Sequence, residues 1–189
     1  MRIMCLGDSN TYGFDPRSYI GDRYPPEDRW VDILAKLTGW EFINEGENGR
    51  SIPRWKFELE MLQRTTIDDS VDLLIIMLGG NDLLQGADAK LTTQRMEAFL
   101  SWLPVPLNRV LLVAPPPMQP GAWGFEDRLL KESQKLAEEY QIMANKLGIW
   151  FADSSKWKIP LTFDGAHFTE EGHRAFAREL YRIVLKETG

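Results

Sequence analysis

The alternation of short apolar runs with longer stretches of helical spacing constrains the fold of this chain more than any other sequence feature. The clearest run, 73–78, consists entirely of Leu, Ile and Met, which is typical of a strand buried on both faces. Such alternation is the pattern of βαβ units around a mainly parallel sheet. We therefore predict an α/β fold with five strands, at 2–6, 41–44, 72–78, 109–114 and 149–152.

The helical patterns between these runs end where glycine or a loop begins. Gly39 and Gly148 each follow such a pattern directly, as expected of a residue that closes a helix in the left-handed conformation. Thr169 is placed to cap the last helix. Tryptophans inside helical or strand patterns are predicted to serve the core. The predicted helices are 29–37, 54–64, 92–103, 125–147 and 169–186.

Three segments, 15–28, 115–123 and 154–166, are predicted loops. They follow strands or the exit of the first strand, so a parallel sheet would bring them to one edge, where ligands of open α/β sheets bind. The chain shows no internal repeat and no linker. One domain spanning 1–189 is therefore expected.

Composition narrows the classes of partner and the compartment. The net charge of −6 argues against a nucleic-acid partner, because phosphate backbones bind basic faces. The single cysteine, Cys5, lies in the first apolar run, which excludes an intrachain disulfide and makes it a small core residue. Strand-like sequence at the start leaves no room for a signal peptide, and no apolar run suits a membrane span. We expect a cytoplasmic protein, with a homo-oligomer left open by the long 15–28 loop.

Ser9 lies directly after the first strand, in Gly7-Asp8-Ser9-Asn10, where the fold would hold it at the edge of the sheet. A serine hydroxyl becomes a useful nucleophile only beside a base. His167 is a candidate base, and Asp164, three residues earlier, is a candidate partner for its ring. Taken alone, Ser9 could equally belong to a phosphate-binding turn, and Asp164-Gly165 is an ordinary turn sequence.

The chain has two histidines, and the second, His173, lies inside the last predicted helix. No carboxylate stands three residues before it on a loop, since Glu170 at that spacing lies in the same predicted helix, so His173 is predicted to be structural or solvent-facing. His167 and His173 also lack the i, i+4 spacing of helical zinc sites, so no metal site is predicted.

Two further segments offer donors for a developing oxyanion. Asn81, in Gly79-Gly80-Asn81-Asp82, follows the most hydrophobic strand, and Gly49 follows the second strand. Each of these sequences, taken alone, is also an ordinary turn.

These four segments resemble the sequence blocks of the SGNH (GDSL-type) esterase and acylhydrolase family. Gly-Asp-Ser-Asn-Thr-Tyr-Gly, Arg29-Trp30 and Ala114-Pro115-Pro116-Pro117 resemble its bacterial arylesterase and acyltransferase branch in particular. The resemblance implies a flavodoxin-like three-layer α/β/α sandwich with no cofactor.

The same resemblance implies a role for each matching residue. Ser9 would be acylated, with His167 as base and acid and Asp164 as its orienter. The Ser9 N–H, the Gly49 N–H and the Asn81 side chain would form the oxyanion hole. One departure is Asn10, which stands where the Gly-Asp-Ser-Leu motif of the family name has Leu. This position bears on the acyl preference, but it takes no part in proton transfer.

The expected function is therefore a serine esterase acting on small acyl or aryl esters, with acyl transfer through the same acyl-enzyme as a close alternative. A flavin- or phosphate-binding module and a catalytically silent interaction protein are the alternatives from other classes. Trp123, Trp157 and Pro116 lie in predicted loops at the active edge and are candidates for the wall of a substrate pocket. Loop anchors packed on the scaffold are the alternative for these aromatic rings.

Overall fold

Five parallel strands form one sheet in the computed structural model, which describes residues 1–18, 22–65 and 70–188. The order across the sheet is β2-β1-β3-β4-β5. Every described residue of β3 and β4 is buried, as the continuous Leu, Ile and Val runs require of inner strands. The strands are β1 Arg2–Gly7, β2 Glu41–Gly46, β3 Leu73–Met77, β4 Val110–Ala114 and β5 Trp150–Asp153.

Helices cover both faces of the sheet, because successive strand residues point to opposite sides and each side buries its own core. Met4 and Leu6 pack with α5 and α6 on one face, and Ile3 and Cys5 pack with α2 and α7 on the other. The result is the three-layer α/β/α sandwich that the sequence predicts. The helices are α1 Ser9–Tyr12, α2 Trp30–Thr38, α3 Lys56–Thr65, α4 Gly80–Leu84, α5 Ala89–Ser101, α6 Asp127–Leu147 and α7 Glu170–Thr188.

The five predicted strands and the five long helices are confirmed, with ends that differ by a few residues. The Thr169 hydroxyl accepts a hydrogen bond from the Gly172 N–H at 2.9 Å, which confirms the cap of the last helix. Two short helices, α1 and α4, were not predicted; each begins within three residues of the end of a strand. Within the predicted loop at 15–28, a 3-10 turn spans Pro26–Asp28, and residues 19–21 lie outside the described residues.

Two tryptophans depart from the predicted core role. Trp55 is 63% exposed and Trp102 is 45% exposed, whereas Trp30 is buried as predicted. Trp55 lies just before α3, and Trp102 follows the last residue of α5, so both stand at the ends of helices. Cys5 is buried in the core, as predicted. None of the described helices is long and apolar enough to cross a membrane.

The carboxyl ends of the parallel strands lie along one edge of the sheet, and the short helix α1 starts there. A Cβ atom on Gly46, the last residue of β2, would lie 2.0 Å from the backbone nitrogen of Tyr12. Glycine is therefore required for β2 and α1 to approach this closely. This close packing fixes α1, and with it Ser9, against the sheet.

Candidate active site

Ser9 is the first residue of α1 and follows β1 after a single intervening residue. That residue, Asp8, caps the helix by accepting a hydrogen bond from the Asn10 N–H at 3.0 Å. Gly13, in the left-handed conformation, ends the helix one turn later. The strand-to-helix turn therefore holds the Ser9 hydroxyl at the edge of the sheet.

The His167 ring lies between Ser9 and Asp164. Its Nε2 atom is 3.0 Å from the Ser9 Oγ, and its Nδ1 atom is 2.6 Å from the Asp164 Oδ2. A carboxylate can only accept a hydrogen bond, so Nδ1 carries the hydrogen and a neutral ring presents an acceptor at Nε2. The arrangement places a proton acceptor on the Ser9 hydroxyl.

Asp164 is fully buried, yet its surroundings keep it charged. Burial by itself would raise the pKa of Asp164, but the hydrogen bond from His167 and bonds from two backbone N–H groups and Thr162 more than offset it, so the pKa lies well below the ordinary value. The Ala166 and His167 N–H groups donate to its Oδ1 at 2.8 and 3.0 Å. Asp164 therefore remains a carboxylate beside the imidazole.

The loop that carries Asp164 and His167 rests on the segment after β4. Gly165 has a φ of +81°, and a Cβ atom on it would lie 2.1 Å from the Gln119 carbonyl oxygen. The Gln119 N–H donates to the Gly165 carbonyl at 2.9 Å. The His167 ring also lies against Phe14 and Trp123, with centroid distances of 4.9 and 5.3 Å.

Gly49 and Asn81, the two other predicted site residues, line the same pocket as Ser9 and His167. Asn81 lies in α4 and donates one hydrogen of its amide to the Arg50 carbonyl at 3.0 Å. Gly49 lies in the loop after β2 with a φ of +76°. In the described part of the chain, neither the Gly49 N–H nor the Ser9 N–H meets a hydrogen-bond acceptor.

The loop around Gly49 is held by its own Arg50 and by Asp82 of α4. The Arg50 guanidinium donates to the carbonyls of Gly7 and Glu45 and forms an ion pair with Glu47 at 2.7 Å. Asp82, fully buried in α4, accepts from the Ile52 N–H at 2.9 Å and pairs with Arg95 at 2.9 Å. The bonds of Arg50 to Gly7 and of Ile52 to Asp82 join segments 43 and 30 residues apart, so no local sequence pattern indicates them.

The pocket has a volume of about 290 Å³ and mostly apolar walls. Among the described residues that line it, Asp8 and His167 are the groups able to carry charge, and neither Lys nor Arg is present. A site for a phosphate or a flavin phosphate would be expected to include such a cation. Sequence analysis missed several apolar walls, namely Phe14, Leu83, Leu84 and Leu136.

Of the three residues predicted to line the substrate pocket, two do so and one does not. Trp123 and Pro116 line the pocket, and Trp123 remains 51% exposed. Trp157 does not line it, which corrects the prediction: its ring packs on Phe176 of α7 at 5.1 Å and borders a separate groove with Pro116. The chain turns away after β5 through a 3-10 turn, Ser154–Lys156, and this directs Trp157 to the α7 side of the sheet.

Asp8 is a second buried carboxyl at this pocket. Burial raises the pKa of Asp8 to about 6, against the opposing effect of the hydrogen bond from the Asn10 N–H. Its environment is therefore the opposite of the one around Asp164.

His173 is buried and lies outside the pocket lining, so of the two predicted alternatives it is structural. Its ring packs edge-on against Tyr24 and Phe168. Neither of its ring nitrogens has a hydrogen-bond partner among the described residues. Burial, followed by the nearby positive charge of Arg29, lowers the pKa of His173 to about 3.

Solved structures of bacterial esterases superimpose on nearly the whole chain. A putative arylesterase from Agrobacterium tumefaciens is 28% identical, with a TM-score of 0.82 over 98% of this chain and 99% of its own. The native aryl esterase of M. smegmatis is 27% identical, with a TM-score of 0.81 over 98% of both chains. A carbohydrate acetylesterase family member from Sinorhizobium meliloti is 26% identical, with a TM-score of 0.81 over 99% of both.

The fold and these similarities define the class, a carboxylic ester hydrolase with an α/β sandwich. The family model of the GDSL-like lipases and acylhydrolases matches residues 5–175. The chain therefore belongs to the GDSL-like lipase/acylhydrolase family, as its four sequence blocks predict. Comparison with curated protein sequences yields no match.

Proposed function

We propose that this protein is a serine esterase that hydrolyses small acyl or aryl esters through an acyl-enzyme on Ser9. The observation that carries the proposal is the continuous contact from the Ser9 Oγ to His167 at 3.0 Å and from His167 to Asp164 at 2.6 Å, beside an apolar pocket. This is the geometry of a nucleophile, its base and the residue that orients the base.

In the first half of the reaction, the Ser9 Oγ attacks the ester carbonyl carbon while its proton passes to the His167 Nε2. The tetrahedral intermediate collapses, the bond to the alcohol breaks, and the alcohol leaves with the proton from Nε2. In the second half, water attacks the acyl-enzyme and gives its proton to Nε2. The proton then returns to the Ser9 Oγ as the carboxylic acid leaves.

Three donors are available for the negative oxygen of the intermediate. The N–H groups of Ser9 and Gly49 meet no acceptor in the described part of the chain. The Asn81 amide gives one hydrogen to the Arg50 carbonyl, which leaves its second hydrogen for the pocket. Donors held in place before the reaction stabilise the developing charge without reorganisation.

The walls of the pocket support an uncharged ester with a small apolar acyl group. Leu83, Met118 and Leu136 are buried apolar residues of the lining, and the described lining contains no Lys or Arg to pair with a charged substrate. Trp123 at the exposed side offers an aromatic face to the alcohol part of the ester. A series of p-nitrophenyl esters of increasing acyl length measures this preference.

Replacement of the nucleophile tests the mechanism directly. Ser9→Ala is expected to lower kcat by about 10⁶-fold, because the covalent route is lost. Asp164→Asn is expected to lower kcat by about 10⁴-fold, because the ring loses the partner that fixes its tautomer. Turnover of p-nitrophenyl acetate and mass-spectrometric mapping of a serine-directed phosphonate label give the two readouts.

Ser155→Ala is the matched control, since Ser155 follows β5 and borders the groove of Trp157 rather than this pocket. It should turn over ester like the wild type. More than a few per cent of residual activity in Ser9→Ala, or a phosphonate label on another residue, would overturn the mechanism. Product analysis with added alcohol measures how the acyl group divides between water and an alcohol acceptor.

A further inference from the structure

The side chain of Asn10, the residue after Ser9, crosses from α1 to the loop that carries His167. Its Nδ2 donates to the Ala166 carbonyl at 3.1 Å, and its Oδ1 accepts from the Phe168 N–H at 2.9 Å. The two bonds therefore grip the backbone on both sides of His167. From the sequence alone, Asn10 was identified only as a departure from the Leu of the Gly-Asp-Ser-Leu motif.

A primary amide is needed for this pair of bonds. The Ala166 carbonyl can only accept and the Phe168 N–H can only donate, so the partner must offer a donor and an acceptor side by side. Leucine has a similar size and offers neither. A carboxylate would accept from Phe168 and lack the hydrogen for Ala166.

Asn10 is itself held on the α1 side. Its N–H donates to the Asp8 side chain at 3.0 Å, and its carbonyl accepts from the indole N–H of the buried Trp30 at 3.0 Å. The amide thus links two fixed parts of the molecule. A shift of either part would strain or break one of its bonds.

Asp164 cannot provide the same link, because its partners, Thr162, Ala166 and His167, all belong to its own loop. It orients the imidazole within that loop, but it does not fix the distance between the loop and α1. In the described part of the chain, the other hydrogen bond between α1 and this loop is the Ser9–His167 contact itself. The link between nucleophile and base therefore depends on Asn10.

We propose that Asn10 is a positioning residue that sets the distance between the Ser9 hydroxyl and the His167 ring. The inference rests on the proposed function, in which His167 accepts the Ser9 proton. Errors of about 1 Å in the placement of reacting groups can cost about 100-fold in rate. Loss of the amide should therefore slow the chemical step more than it weakens the binding of ester.

Asn10→Leu tests the proposal, with kcat and KM for p-nitrophenyl acetate measured per folded enzyme. The expected result is a fall in kcat of about 10- to 100-fold with KM changed by less than about threefold. Asn10→Asp keeps the bond from the Phe168 N–H and should give an intermediate kcat at a pH of about 8, where an ordinary imidazole is neutral. The Asp variant also serves if Asn10→Leu does not fold.

Thr38→Val is the matched control. Thr38 is also a half-buried polar side chain that bonds two backbone groups, since its hydroxyl donates to the Leu34 carbonyl at 2.8 Å and accepts from the Trp40 N–H at 3.2 Å. It lies at the end of α2 and bonds neither α1 nor the His167 loop. It should lower the melting temperature and leave kcat within about threefold of the wild type.

The outcomes separate the two proposals. Wild-type kcat in both Asn10 variants, or a loss that appears only in KM, would overturn the role of Asn10. Equal losses of kcat in Asn10→Leu and Thr38→Val would assign Asn10 to general stability and also overturn it. Ser9→Ala, assayed in parallel, tests the proposed function independently of Asn10. If this variant still turns over ester, the proposed function is wrong, whatever the Asn10 variants do.

Discussion

Two buried carboxyl groups, Asp8 and Asp164, lie near Ser9, the proposed nucleophile, and their surroundings move their pKa values in opposite directions. The pKa of Asp164 lies well below its ordinary value because four hydrogen-bond donors, His167 among them, outweigh its burial. The pKa of Asp8 is raised to about 6, because burial outweighs the single bond from Asn10. At neutral pH Asp164 is the more firmly ionised of the two, as its proposed role beside His167 requires.

The buried His173 gives a prediction about stability and pH. Its folded-state pKa of about 3 lies below the ordinary value of 6.5, so the unfolded chain binds the extra proton between these two values. The free energy of unfolding should therefore fall as the pH falls below about 6.5, by about 1.4 kcal/mol per pH unit from this group.

His173→Phe removes this contribution. The drop in the free energy of unfolding between about pH 7 and pH 5 should shrink by about 2 kcal/mol, as measured by urea unfolding at the two values. Asp8 titrates in the opposite sense in both proteins and cancels in the comparison. An unchanged pH dependence in the variant would contradict the prediction.

At the scale of single residues, sequence analysis located side chains whose placement depends on the nearest strand. Ser9 and Asn81 each follow a strongly apolar run, so the direction of the strand carries them to the sheet edge. The wall residue Leu136 and the amide of Asn10 could not be found this way. Their contacts depend on which helix or loop packs against them in the fold, and no local sequence pattern indicates this.

The loop between β2 and α3, residues 47–55, illustrates how several elements together hold the site. It carries Gly49 and is tied to α4 twice, through the Asn81 amide and the buried Asp82 carboxylate. Asp82 also pairs with Arg95 of α5, so three elements meet at one carboxylate. The position of Gly49 therefore depends on a residue that does not face the pocket.

Asp82→Ala is expected to lower the free energy of unfolding by about 3–5 kcal/mol, because it leaves the Arg95 charge and the Ile52 N–H without their partner. The kcat for ester should fall as well, since the Gly49 loop loses an anchor. Glu97→Ala is the control: it removes the exposed Lys146–Glu97 pair and should cost less than about 1 kcal/mol. Urea unfolding measures both, and equal losses would contradict a special role for Asp82.

The long elements could be predicted from sequence because their patterns are long enough to be unambiguous. Every residue of β3 is apolar and buried, and α6 runs for 21 residues to a left-handed Gly148. The helices α1 and α4 have only 4 and 5 residues, too few for any periodicity. They form where a strand ends beside a capping residue or a glycine. Whether the chain then turns into a helix depends on tertiary contacts, which the local sequence does not show. Trp157 was misplaced for a related reason: its direction is set by the turn after β5.

For the whole molecule, the single thiol provides a probe of global opening. Cys5 lies in β1, between β2 and β3, and is fully buried. Burial, with a smaller contribution from Asp32, raises the pKa of its thiol and suppresses the reactive thiolate. A thiol reagent should therefore label the native protein at least about 10³-fold more slowly than the protein in urea.

Labelling should accelerate in parallel with unfolding as urea is added, because an inner strand is exposed only when the sheet opens. Stopped samples analysed by mass spectrometry give the rate. Rapid labelling of the native protein would show that β1 opens locally and would contradict the prediction.

The separation of 158 residues between Ser9 and His167 has a consequence for the order in which the protein is made. A ribosome that adds about 5–20 residues per second needs roughly 8–30 s to pass from one to the other. In the proposed mechanism, the nascent chain holds Ser9 without its base during that interval, while its first strands can already pair. The proposed base would then be added only after all five strands of the sheet have been synthesised.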